Sequence, residues 1–298
     1  MGPSNQHPGS SVGDTSPSRR RSSLAILALA ALSCTRAPPE APVRVEAAVA
    51  TDVPSPELDT SADGPLPLAP IPPQPLFTNL TVPGFPDAVV ALPNGANTPR
   101  PVLVILHGSG DRPDWNCDAW RHITRDYGFV LCPRGDYVPL QSGRGDDKRF
   151  TLRGGATLRR HLDAALAALA SRFAGYVDVE RPVVAGFSLG AAEAAGLAID
   201  DPARFALVAE LEGGHNTWTP ASIRAFAAGG GQKVLFGCGS SWCLPAATPA
   251  AARLQRGGIE ARVVHANVGH STDRPLQEAI MVELGWFLAG DPRWGPSP

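Results

Sequence analysis

The sequence predicts an α/β fold: a mostly parallel central sheet with helices on both faces and no large cap domain. Three observations predict it. Strand-like and helix-like segments alternate from residue 87 to residue 288, the order expected of a parallel sheet covered on both sides. Val102-Leu103-Val104-Ile105-Leu106 is an unbroken apolar run, as a strand buried on both faces requires. Val183-Val184-Ala185-Gly186-Phe187-Ser188-Leu189-Gly190 reads as a buried strand turning sharply into an Ala-rich helix.

The elements follow in order. Strands are expected at Asp87–Leu92, Val102–Leu106 and Gly128–Pro133, the last stopped by proline, with a short helix at Asn116–Asp126. Gly155–Phe173 places Leu158, Leu162, Ala165, Leu166 and Leu169 on one helical face. Arg181–Phe187 is the strand into the Gly-x-Ser-x-Gly turn and Leu189–Ile199 the helix out of it. Strands Phe205–Leu211, Lys233–Gly237 and Ala261–Ala266 then alternate with helices Pro220–Ala228, Pro245–Arg256 and Pro275–Leu288. Leu276, Ile280, Leu284 and Phe287 form the apolar stripe of the last helix.

Composition divides the 298-residue chain. Residues 1–34 join a polar start, Arg19-Arg20-Arg21 and the short apolar run Leu24–Leu32, which is the pattern of an export signal. The run is too short for a membrane-spanning helix. Residues 35–75 hold eleven of the 31 prolines and few large apolar groups, so they read as a disordered, semi-rigid spacer. A single folded domain is expected over 76–291 and a tail over 292–298. A net charge of −2 and the lack of a basic helix argue against a nucleic-acid partner. The signal segment resembles that of bacterial lipoproteins, which implies that Cys34 receives lipid and tethers the protein to a membrane. Simple cleavage and secretion, periplasmic or beyond, is the other outcome.

Four further cysteines, Cys117, Cys132, Cys238 and Cys243, are an even set in an exported domain and suggest disulfides. The favoured pairing is Cys117–Cys132 with Cys238–Cys243; free buried thiols are the alternative. Their spacing does not suit zinc, and the chemistry read here calls for no metal or cofactor.

The order of elements and motifs resembles the α/β-hydrolase family over most of 76–291. The resemblance rests on His107-Gly108 after an early strand, Gly186-Phe187-Ser188-Leu189-Gly190 in the middle and Gly269-His270 near the end. It implies Ser188 as nucleophile and His270 as its base. It also implies an oxyanion hole built from the backbone N–H groups of Leu189 and Ser109. A serine at position 188 can equally serve as a plain helix cap. His107 is expected to brace its loop by side-chain hydrogen bonds, and His215 is a second-choice site residue. The acid departs from the pattern, because Cys238-Gly239-Ser240-Ser241-Trp242-Cys243 has no carboxylate where the family usually carries one. Glu212 after the preceding strand is preferred; Asp273 and a dyad without acid stay open. Trp115, Trp120, Trp218 and Trp242 are candidates to line an apolar pocket, Trp218 and Trp242 foremost; ordinary loop packing is the alternative. The implied function is an exported serine esterase acting on a small-molecule ester through an acyl-enzyme. A serine peptidase of the same fold and a non-catalytic surface binding domain are the alternatives.

Overall fold

A computed structural model describes residues 68–73, 75–139 and 147–295. Cys34, the signal segment and most of the spacer lie outside the described residues. No helix among the described residues is long and apolar enough to cross a membrane.

The chain runs β1 (Thr78–Leu80), β2 (Ala88–Ala91), β3 (Arg100–Leu106), α1 (Pro113–Ile123) and β4 (Phe129–Pro133). A two-stranded hairpin follows, β5 (Asp136–Val138) with β6 (Arg149–Thr151). Then come α2 (Gly155–Arg172), β7 (Val177–Phe187), α3 (Leu189–Asp200), β8 (Leu207–Leu211) and α4 (Pro220–Ala228). The chain closes with β9 (Lys233–Cys238), α5 (Cys243–Arg256), β10 (Glu260–His265) and α6 (Arg274–Leu288). Eight strands form the central sheet in the order β1-β2-β4-β3-β7-β8-β9-β10. Strand β2 pairs antiparallel with both β1 and β4; the other pairings in this sheet are parallel.

Side chains of each strand alternate between two cores. Val102, Val104 and Leu106 of β3 pack with α2, α3, α4 and α5. Leu103 and Ile105 pack with α1 and α6 on the other face. Both faces are therefore dry, which explains the continuous apolar run at Val102–Leu106. From β3 the chain goes to β4 on one side and then returns to β7 on the other. Strand order thus reverses between β3 and β7, and a crevice opens outside their carboxyl ends. The His107-Gly108-Ser109 turn and Ser188 occupy those two ends.

Every expected strand and helix is present, with shifted ends. Strand β7 begins at Val177, four residues before the expected Arg181, because its first residues pair with the start of β3 (Arg100 with Val177). Helix α1 starts at Pro113 rather than Asn116, proline being well placed in a first turn. The short strand β1 and the β5–β6 hairpin lack apolar runs and left no sequence signal. The domain also extends past both expected limits. Ile71, assigned to the spacer, is buried and exchanges backbone hydrogen bonds with Gly95 and Ala96. Trp294, assigned to the tail, is buried against Tyr127.

The cysteines pair as favoured, Cys117 with Cys132 and Cys238 with Cys243. Such bonds persist in oxidising compartments outside the cytoplasm.

One carboxyl is sealed inside the sheet. Glu210 of β8 is 1% exposed. Its Oε1 accepts the Trp218 indole N–H at 2.5 Å, while Oε2 meets no partner among the described residues. Burial pushes its pKa well above the ordinary 4.5, and the indole hydrogen bond only partly opposes this. Once pH exceeds 4.5 the unfolded chain gives up this proton and the folded chain keeps it. Stability therefore falls as pH rises through that window. Glu210→Gln retains an acceptor for Trp218 and removes the titration. Thermal unfolding from pH 4 to 8 is expected to show the variant gaining on the wild type as pH rises. The gain should be roughly 2–4 °C per kcal/mol of ionisation cost removed, and parallel curves would refute it.

Candidate active site

Ser188 stands between the last residue of β7 and the first of α3 with φ 55° and ψ −115°. A non-glycine residue rarely adopts positive φ, and such strain persists only where the surroundings enforce it. Here two glycines permit it. A Cβ on Gly186 would lie 2.0 Å from the Gly190 carbonyl oxygen, and one on Gly190 would lie 1.9 Å from the Leu106 oxygen. The turn is pinned by the Ser188 N–H, which donates to the Leu211 carbonyl at 2.8 Å. Ser188 makes no side-chain cap bond to α3, so its hydroxyl is not spent on the helix. The Leu189 N–H belongs to the first turn of α3, where helix N–H groups lack intrahelical partners.

Ser188, Gly108, Ser109, Trp115 and His270 line a cleft of about 660 Å³. The His107 ring nitrogens lie 2.8 Å from the Gly108 carbonyl oxygen and 2.7 Å from that of Arg134. His107 is buried and braces the turn that carries Ser109.

His270 lies on the loop between β10 and α6, half exposed, with its ring 4.8 Å from that of Phe187 and 5.8 Å from that of Trp242. Its Nδ1 lies 3.0 Å from Glu212 Oε2. Glu212 is 1% exposed and, like Ser188, has φ 55°. This turn at the end of β8 aims its carboxylate at the next loop. There Glu212 accepts hydrogen bonds from the Gly239 N–H, the Ser240 N–H at 2.9 Å and the Ser240 hydroxyl at 2.5 Å. Burial by itself pushes the Glu212 pKa up. The donors of Ser240, Gly239 and His270 outweigh burial and hold it below the ordinary value.

The same loop grips the histidine side. The Gly239 carbonyl accepts from the N–H groups of Val268, at 3.1 Å, and Gly269, at 3.0 Å. Cys238–Cys243 closes this loop with a sequence separation of 5. The carboxylate-free segment is thus the cradle of a carboxylate that comes from β8. Ser240 is the contributor that sequence reasoning missed; its signal was a short run of small polar residues between paired cysteines.

Ser188, His270 and Ser109 meet at one cleft, and Glu212 bonds His270 from behind. Asp273 stands at the start of α6, exposed, and its side chain makes no cap bond. The His270 Nδ1 contact goes to Glu212, not to it. His215 is buried, with its ring 6.0 Å from that of Trp242, and its pKa is lowered by burial. It does not line the Ser188 cleft. Trp242 is 48% exposed at the rim beside His270. Trp218 corrects the sequence reading: it is fully buried, edge-on to Phe226 and bonded to Glu210. Its indole N–H found a partner in the interior, which lets the whole ring join the core. Trp120 is also buried. Among the described residues, the metal-capable atoms that cluster are those of Glu212, Cys238 and Cys243. Both sulfurs are spent in the disulfide.

No protein-family profile matches the sequence, and no curated protein aligns with it significantly. Solved structures do superpose. An esterase from Rhizomucor miehei covers 74% of this chain and 86% of its own length, at 14% identity and a TM-score of 0.51. A fluorophosphonate-binding serine hydrolase of Staphylococcus aureus, FphF, covers 71% of this chain and 99% of its own, at 13% identity and a TM-score of 0.48. The Bacillus cereus carboxylesterase covers 65% and 91%, at 17% identity and a TM-score of 0.41. The fold is that of the α/β-hydrolases. No separate cap domain covers the cleft among the described residues.

The disulfide loop makes a direct prediction. Opening it in Cys238→Ser/Cys243→Ser should cost about 2 kcal/mol from loop entropy alone, read by urea unfolding. The amides of Gly239 and Ser240 should exchange with solvent several-fold faster. Unchanged exchange would mean that Glu212 orders the loop without help from the disulfide.

Proposed function

We propose that the protein is a serine hydrolase of carboxylic esters, working through an acyl-enzyme in an oxidising compartment. The observation that carries this reading is the buried Glu212 carboxylate bonded to Nδ1 of a histidine that shares a cleft with the strained Ser188. A carboxylate on Nδ1 fixes the ring tautomer so that Nε2 is the nitrogen able to take a proton. It also stabilises the imidazolium that forms when the proton arrives. The low pKa of Glu212 keeps it ionised for that task across neutral pH.

In this mechanism Ser188 Oγ attacks the ester carbonyl as His270 Nε2 removes its proton. The carbonyl oxygen becomes an oxyanion held by the Leu189 and Ser109 N–H groups. Collapse breaks the carbonyl–alkoxy bond, and the alcohol leaves with the proton from His270. Water, deprotonated by the same nitrogen, then attacks the acyl-enzyme and frees the acid and Ser188. An uncapped cleft suits soluble or extended esters. The two disulfides support the oxidising compartment.

Fluorophosphonate labelling together with turnover of 4-nitrophenyl esters tests the assignment. Wild-type protein should label and turn over, and Ser188→Ala and His270→Ala should do neither. Glu212→Gln should stay folded, label slowly and lose roughly a hundred- to ten-thousandfold in kcat. Folded wild-type protein that neither labels nor cleaves any ester would sink the hydrolase. Full activity in Glu212→Gln would remove that residue from the site. A peptide panel cleaved faster than the esters would replace esterase by peptidase.

A further inference from the structure

A second cavity of about 700 Å³ adjoins the Ser188 cleft, and Phe77 and Asp114 stand in the walls of both. One part of its wall is the β5–β6 hairpin, which left no trace in the sequence reading. Tyr137 and Phe150 come from its two strands, and Lys148 directly precedes β6. The hairpin is docked on the turn after β3 by paired backbone hydrogen bonds between Asp111 and Phe150, 3.1 and 2.9 Å. Arg134, at the exit of β4, completes the wall. Its carbonyl is the one held by His107, so Arg134 and the Ser109 turn share one support.

The charges of this annex do not cancel. Arg112 is paired with Asp114 at 2.7 Å, and Arg149 with Asp147 at 2.8 Å. Arg134 donates instead to the neutral Asn79 side chain at 2.9 Å and lies 5.5 Å from the centre of the Phe150 ring. Lys148 is exposed and has no ion pair among the described residues. Two cations without a carboxylate partner among the described residues therefore line a cavity that Phe77, Tyr137 and Phe150 also line. In the Ser188 cleft, next to the shared Asp114, the exposed Trp115 ring lies 4.5 Å from the guanidinium of Arg149 and 5.2 Å from that of Arg112. A cavity lined both by aromatic rings and by such cations matches a substrate with an apolar body and an anionic group.

We propose that this annex selects esters carrying an anionic oxygen group, carboxylate or phosphate, at the end remote from the scissile bond, held by Arg134 and Lys148. The inference rests on the ester-hydrolase reading for its chemistry, but its binding step can be measured without catalysis. The apolar part of the substrate would lie along Trp115, Phe77 and Phe150, leaving the carbonyl at Ser188.

The probes are matched esters ending in a carboxylate, a phosphate or a neutral methyl-capped carboxylate. They come in two series, with the end group on the acyl side or on the alcohol side. Calorimetry with Ser188→Ala reads binding of the intact esters, and kcat/KM with wild-type protein reads selection. In at least one series a charged ester should be preferred over its capped form by about five- to tenfold, the range two half-exposed charge contacts supply. The preference should shrink in about 1 M salt. The arm with the larger preference identifies carboxylate or phosphate as the group. The charged-to-capped ratio should fall to near one in Arg134→Gln/Lys148→Gln. It should persist in Arg256→Gln, which removes a cation from the far end of α5. Lys148→Gln alone, at an exposed position, should halve the ratio or better and keeps the test valid if the double variant misfolds. Equal binding of charged and capped esters in both series would overturn the annex. If esters are cleaved without such a preference, the annex fails and the hydrolase stands. If Ser188→Ala binds the charged ester preferentially while wild-type protein cleaves none, the annex stands and the hydrolase fails.

Discussion

Everything at this cleft depends on how the Glu212 carboxylate is held. It is buried on a strand end, and a buried anion is costly unless its lone pairs are filled. Four donors fill them: two backbone N–H groups and a hydroxyl from Gly239–Ser240, and His270 Nδ1. Three of the four come from one short loop that a disulfide closes. That loop also accepts the N–H groups of the two residues before His270. Acid, loop and histidine are therefore one hydrogen-bonded unit, and disturbing any part of it reaches the imidazole.

The serine side is organised by close approach rather than by charge. Gly186 and Gly190 let the β7–α3 turn press against the carbonyl of Leu106. That contact sets Ser188 beside the turn from His107 to Ser109. Both Ser188 and Glu212 carry positive φ, and each sits where a strand of the sheet ends. Rigid strands on either side are what make such conformations tolerable. The sheet thus serves as a jig: its order reverses between β3 and β7, and the strained residues gather at the carboxyl ends near that reversal.

The annex shows a different division of labour. Part of its wall is a hairpin joined by a pair of backbone bonds to Asp111 in the turn after β3, and its cations reach it from separate segments. Ion pairs, Arg112–Asp114 and Arg149–Asp147, stand next to Arg134, which meets a neutral amide and the Phe150 ring, and Lys148, neither of which has a carboxylate partner among the described residues. Recognition there can change without touching the elbow or the Glu212 cradle.

By itself the sequence determined the sheet, its helices and the serine elbow, because each is a local pattern: an unbroken apolar run, an apolar stripe at helical spacing, glycines flanking a serine. It also determined which loops carry the histidines. Which carboxylate reaches His270 was not legible, because it turns on a backbone bend at Glu212 and on N–H groups of a loop 27 residues away. Backbone donors have no letter in the sequence. Trp218 was misread for a related reason: its indole N–H finds its acceptor, Glu210, inside the folded core. The hairpin wall, the buried Ile71 and the buried Trp294 were invisible because short segments without periodicity acquire their place only from what they pack against. Tertiary structure decided those points, since they depend on contacts between residues far apart in the chain.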